Sequence, residues 1–129
     1  MPRFIFNKLV RDNIVESQLA SNAKPTYKTL DLESHKRELI TKIIEEANEI
    51  LTSLPTETAS EIADVQQAVD DFILLYNLSA SDVRQEQKKK YVKNGSFSRG
   101  TFIEYVDLND SDKWVTYFRE NSDRYPEVK

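Results

Sequence analysis

The stretch Lys42–Gln67, KIIEEANEILTSLPTETASEIADVQQ, decides how this chain folds. Ile43, Ile44, Ala47, Ile50, Leu51 and Leu54 recur at spacings of three and four, and Leu39 and Ile40 extend the same apolar stripe upstream. That period marks an amphipathic helix, expected from about residue 33 to 54. Pro55 ends it, because proline has no amide hydrogen and restrains the residue before it. A second helix is expected over about 59–78, opened by Thr58 with Glu61 three residues on, the pattern of a capping box. Ile62, Val65, Val69, Phe72, Ile73 and Tyr76 share one face of it, while Ala68, Leu74 and Leu75 lie elsewhere on its circumference. A helix apolar over so much of its girth packs on more than one side, and in a short chain the extra surface is expected to meet another subunit.

Around this hairpin the remaining elements are sparser. A first helix is expected near residues 8–22, followed by an irregular stretch through Pro25 and Tyr27 to Leu32. Ser81 or Asp82 can cap a fourth helix that reaches about Lys93 and ends at Asn94 and Gly95. GTFIEYV, residues 100–106, alternates well enough for a short strand. Trp114, Tyr117 and Phe118 are placed to dock a terminal helix onto the body. The expected fold class is all-α: a helical bundle built on an antiparallel hairpin, with a short C-terminal strand or hairpin. The expected division is a domain over 1–106 and a packed tail over 107–129.

Composition narrows the function. With 129 residues, 39% hydrophobic and 31% charged, the chain suits one domain with its own core. It has no cysteine, which excludes disulfides, thiolate metal sites and cysteine nucleophiles. Its longest apolar run is FILLY at 72–76, and MPRFIFNKLVRD lacks the long apolar stretch of a signal peptide, so a cytoplasmic protein with no membrane partner is expected. A formal net charge of −4 argues against binding a nucleic acid polymer. The charges are nevertheless segregated, with acids between Glu45 and Asp71 and bases at Arg84, Lys88, Lys89, Lys90, Lys93 and Arg99. Such bipolarity suits an anionic substrate held through a cation, although a charge run also serves as a solvated face.

The acids fall in register. Glu49 and Glu61 each lie six positions from Pro55, and Glu46 and Asp64 each lie nine. In an antiparallel hairpin they form two rungs about one helical turn apart, with each helix presenting its pair three residues apart on one face. Four carboxylates there repel one another, and either protonation or a divalent cation must offset the repulsion. Oxygen-only ligands favour a hard ion, Mg²⁺ or Mn²⁺, over zinc; the sole histidine, His35, is about three turns from Glu46. Each acid also has an ordinary reading: Glu45, Glu46 and Glu49 as exposed helix residues, Glu61 as the capping partner of Thr58, and Asp71 as a solvated carboxylate.

EEANE followed by EIAD resembles the EExxE…ExxD signature of the all-helical nucleoside triphosphate pyrophosphohydrolases, the MazG and phosphoribosyl-ATP pyrophosphohydrolase group. NKLVRDNI at 7–14 is similar to the N-terminal segment of the phosphoribosyl-ATP pyrophosphohydrolase-like branch, and KKYVKNGSFSRGTF resembles the basic segment after its last bundle helix. The acidic halves are separated by residues 50–60, at the short end for the group, and the tail after Asp107 has no counterpart in it. The resemblance implies hydrolysis of the α–β phosphoanhydride of a nucleoside triphosphate, giving a monophosphate and pyrophosphate. It implies Glu46, Glu49, Glu61 and Asp64 as ligands of Mg²⁺, with Glu45 and Glu49 as catalytic carboxylates. Phosphate contacts fall to Lys8, Arg11, Lys90, Lys93 and Arg99, with Lys8 and Arg11 favoured by their motif, and a homodimer or higher homo-oligomer is implied. The expected substrate is a non-standard nucleotide, with phosphoribosyl-ATP of histidine synthesis as the alternative.

A rival from another class is a non-enzymatic helical module whose apolar surface binds a partner helix. A calcium loop at 107–118 fails, because Asp112 occupies the required glycine position and Phe118 that of the bidentate glutamate. No GxxxxGK phosphate loop and no GxSxG elbow occurs.

Overall fold

Asp31 starts the longest helix, α2 (Leu32–Thr52): its backbone is extended and its carboxylate accepts a hydrogen bond from the Ser34 amide at 2.8 Å. That bond satisfies one of the free amides of the first turn and holds the Asp31 carboxyl below its usual range. Ser53 leaves the helix in the β region, two residues before Pro55. The chain then turns tightly, the Glu57 amide donating to the Leu54 carbonyl at 2.8 Å, and enters α3 (Thr58–Leu75). The capping box expected here does not form. Thr58 is already the first helical residue, and its hydroxyl donates backward to the Leu54 carbonyl at 3.1 Å. Glu61 is therefore not committed to the helix start.

The computed structural model describes residues 1–129 and is all-helical: α1 (Ile14–Ala20), α2, α3, α4 (Ala80–Asn94) and α5 (Lys113–Glu120), with no strand. Contacts divide the chain into two units, Met1–Lys93 and Asn94–Lys129. No helix is long and apolar enough to cross a membrane.

In the first unit α2 and α3 pack on each other, and no other pair of helices touches. Their seam holds the two buried side chains of the chain, Leu39 and Ala68, each 5% exposed. The broad stripe of α2 is split. Leu39, Ile43, Glu46 and Ile50 form its covered line, whereas Ile40, Ile44, Ala47 and Leu51, one step round, stand exposed. On α3, Ile62 and Leu74 are exposed as well.

The first helix is shorter than expected. Asn7 takes a left-handed φ of 45°, and residues 8–13 run outside helix, so only Ile14–Ala20 coil. Asn22 and Asn77, both left-handed, close α1 and α3: the Asn22 and Ala23 amides donate to the Leu19 and Gln18 carbonyls, and the Asn77 and Leu78 amides to those of Leu74 and Ile73. This paired pattern is the Schellman stop, for which asparagine serves when glycine is absent. The cap of α4 is Ser79 rather than Ser81 or Asp82. Its hydroxyl accepts from the Asp82 amide at 3.0 Å and its amide donates to the Asp82 carboxylate at 2.9 Å, a reciprocal box.

In the second unit, residues 100–106 form no strand, and their side chains are exposed with no neighbouring strand to pair with. Trp114, Tyr117, Phe118 and Tyr125 pack on one another, with Phe118 and Tyr125 at 4.7 Å. Arg119 closes this cluster with two hydrogen bonds to Glu127, at 3.1 and 2.7 Å.

A folded chain of this mass exposes about 7,000 Å², and two separate bodies of these sizes about 8,300 Å² together. This chain exposes 12103 Å².

Candidate metal centre

Glu46 occupies a covered position of α2 that would ordinarily be apolar, and its side chain is only 12% exposed. Glu61 and Asp64 are half-buried on the facing side of α3. One carboxylate oxygen from each of Glu46, Glu61 and Asp64 lies within 4.8 Å of the others. The hairpin therefore brings together three of the four residues in the acidic register. Glu49 is outside the triad: it is one step round from Glu46, on the exposed side of α2. It still acts on the site, because burial first, then the charges of Glu49, Asp64 and Glu46, push the Glu61 carboxyl above its ordinary value.

Three cations from the same chain meet the acids. Arg11 donates to Asp64 at 2.6 Å, and Lys8 reaches Glu45 at 3.4 Å. Both come from the non-helical segment before α1, so the loss of the expected first turns of helix is what lays them along the hairpin. Lys42 is the third. It pairs with Glu46 at 3.1 Å and Glu45 at 3.4 Å, and it was legible as an i, i+4 neighbour of Glu46 although the motif does not include it. Burial works to push the Lys42 ammonium down, but the hydrogen bond to Glu46 and the charges of both glutamates prevail and raise it. Glu45 is thus half-buried and held between two lysines.

An open groove of about 660 Å³ runs beside the cluster, with Arg11, Asp12 and Asn13 on one wall and Glu46, Asp64 and Asp71 on the other. Leu39 and Ala68 form part of its lining, and so do His35 and Gln67, which no motif identified. His35 is half-buried rather than solvent-facing. Asp71 joins the lining, where its carboxylate accepts from Gln67 at 3.2 Å.

The remaining basic candidates are placed otherwise. Lys90 and Lys93 are on α4, which touches neither α2 nor α3 of its own chain. Arg99 belongs to the second unit, in a turn where the Gly100 amide donates to the Phe97 carbonyl and Gly100 takes a φ of 67°.

The donor set suits a hard divalent cation. Oxygens about 2.1 Å from one octahedral ion stand at most about 4.2 Å apart, so small side-chain rotations close the triad onto an ion of that size. Compared with known protein families, curated proteins and solved structures, the chain matches none.

Proposed function

We propose that the chain is a Mg²⁺-dependent nucleoside triphosphate pyrophosphohydrolase of the MazG-like, phosphoribosyl-ATP pyrophosphohydrolase-like kind. It cleaves the α–β anhydride of a non-standard nucleotide in the cytoplasm and works as a homodimer or higher homo-oligomer. The observation that carries this reading is the convergence of Glu46, Glu61 and Asp64 across the proline turn. The short stretch between the acidic halves supports it further, since a compact hairpin is what sets both at one level.

Glu46, Glu61 and Asp64 would hold the ion, with Mn²⁺ able to replace Mg²⁺. A divalent ion so held supplies charge neutralisation at phosphate oxygens and a lowered pKa for an attacking water. The chain supplies the rest. Arg11 and Lys8 bind phosphate; because they hang from a non-helical segment, they turn from carboxylate to phosphate without disturbing a helix. Glu49, whose charge reaches Glu61 and which has no cation within salt-bridge reach, would accept the proton of the attacking water. Glu45, held by Lys8 and Lys42, positions those two cations.

A second reading has its own support: Lys8, Arg11 and Lys42 already neutralise Glu45, Glu46 and Asp64, as they would in a non-enzymatic helical module. Purified protein incubated with Mg²⁺ and a nucleotide panel that includes phosphoribosyl-ATP separates the two. The hydrolase releases pyrophosphate and melts at higher temperature with Mg²⁺, since an ion bound only by the folded state stabilises it. A chain with neither response is the module.

A further inference from the structure

The groove beside the triad changes character along its length. On α2 its wall runs from Glu46 back through Lys42 and Leu39 to His35, and on α3 from Asp64 to Asp71. Each set has the three-four spacing of a single helix side, so the groove follows the seam of the hairpin. Its volume of about 660 Å³ is that of a small-molecule site.

Three zones succeed one another along it. The lysine and arginine side chains of the wall are Arg11 and Lys42, and both are drawn to the triad end, Arg11 by Asp64 and Lys42 by Glu46. Next comes an apolar floor, made of Leu39 and Ala68, the two buried residues of the chain. Beyond the floor the groove offers hydrogen-bond acceptors. Asp71 is exposed there and has no cation within salt-bridge reach. Its carboxylate accepts one hydrogen bond, from the Gln67 amide at 3.2 Å, which fixes it against the wall. The carbonyl oxygen of Gln67 receives no hydrogen bond within the chain.

This order is the order of a nucleotide read outward from its phosphates: anion, then a flat ring with apolar faces, then a polar ring edge. The spacing agrees as well. Asp64 and Asp71 are seven residues apart on α3, about 10 Å along its axis, an interval that a ribose and one ring bridge. A carboxylate only accepts hydrogen bonds, so the edge it takes must donate. The exocyclic amino group of cytosine or adenine donates, whereas the carbonyl that replaces it in uracil or hypoxanthine would set lone pair against lone pair.

We propose that the groove beyond the triad is a base subsite floored by Leu39 and Ala68, and that Asp71, held by Gln67, is its specificity-determining residue. It selects bases that carry an exocyclic amino group. The proposal rests on the hydrolase reading above and sharpens it: the non-standard nucleotides that this chain clears keep that amine, and deaminated bases are refused.

The wild-type chain with Mg²⁺ is given dCTP against dUTP and dATP against dITP, pairs in which a carbonyl replaces the amine. The amino member of each pair is expected to show a kcat/KM higher by about tenfold or more. Asp71→Asn, whose amide donates as well as accepts, is expected to bring both ratios close to one; a merely structural loss would lower both members alike and leave the ratios unchanged. Calorimetric titration with dCMP and dUMP in Mg²⁺ reads the same selection without turnover, dCMP binding about tenfold more tightly to wild type and no more tightly than dUMP to Asp71→Asn. Pyrophosphate release at equal rates within each pair, a preference for the keto member, or wild-type ratios in Asp71→Asn overturn the base subsite and leave the hydrolase reading standing. Preferential binding of dCMP without pyrophosphate release from any nucleotide supports the subsite and removes the hydrolase reading. A chain that neither binds nor cleaves any of these nucleotides overturns both.

Discussion

The hairpin and α4 are built by opposite means. The α2–α3 pair is fixed by side-chain burial along one seam, and the same seam carries the acids. Helix α4 is fixed at its N-terminal end, where Ser79 and Asp82 cap it just after the Asn77 stop of α3, and it buries nothing in its own chain. The contrast teaches that a helix can be accurately aimed without being packed, and that such a helix is free to serve another molecule.

The largest break in the comparison should come from the acids. Asp64→Asn is expected to lower pyrophosphate release on the order of 1,000-fold, because positioning of an ion over transferring phosphate is worth several kcal/mol. The same charge removed from α4, Glu86→Gln, should leave the rate near wild type. Nucleotide turnover with circular dichroism on both variants checks this, and equal losses would mean that the hairpin acids are not special.

Burial gives the next largest effect. Leu39→Ala empties the centre of the seam and is expected to cost about 3 kcal/mol in urea denaturation. Val92→Ala, on the exposed face of α4, should cost the dilute chain less than about 0.5 kcal/mol. Conversely Ser79→Ala, which removes the box, should cost about 1 kcal/mol and appear as faster amide exchange confined to α4. If Val92→Ala proved as costly as Leu39→Ala at every protein concentration, α4 would be packed within its own chain.

Much of this was legible in the residues. Pro55, the three-four spacing and the equal offsets of the acids identify the hairpin and three members of the cluster. What escaped reading has physical causes. Glu49 shares the register but, three residues on from Glu46, is turned about 60° further from the seam, which sequence distance to a turn does not encode. Residues 8–13 read as helix by periodicity, whereas in the fold they run outside helix and Arg11 and Lys8 bond hairpin acids more than 30 residues away. Thr58 and Glu61 have capping-box spacing, but the turn placed Thr58 inside the helix and its hydroxyl found Leu54. The strand expected at 100–106 fails because alternation promises an edge and supplies no partner for it.

The smallest effect separates the two regions by pH, with a chelator present. Burial and its acidic neighbours raise the Glu61 carboxyl above 4.5, so the folded state holds that proton more tightly than the unfolded one. Its contribution is full below 4.5 and is lost as the pH rises through the folded value. At α4 the sign is reversed. Hydrogen bonds from Ser79 lower Asp82 below 3.8, so its contribution is present above 3.8 and lost as the pH falls through the folded value. Glu61→Gln should therefore be more stable than wild type at neutral pH without metal, with the difference shrinking to nothing below 4.5. It should also lose the stabilisation by Mg²⁺, because the group that gains from deprotonation when an ion binds is gone. Asp82→Asn should be less stable than wild type at neutral pH, with the difference vanishing as the pH falls through the folded Asp82 value. Denaturation midpoints across pH 3 to 8 distinguish the variants. A wild-type profile unaltered by Glu61→Gln would mean that Glu61 does not face the other acids of the hairpin in solution, and the cluster would reduce to separate surface charges.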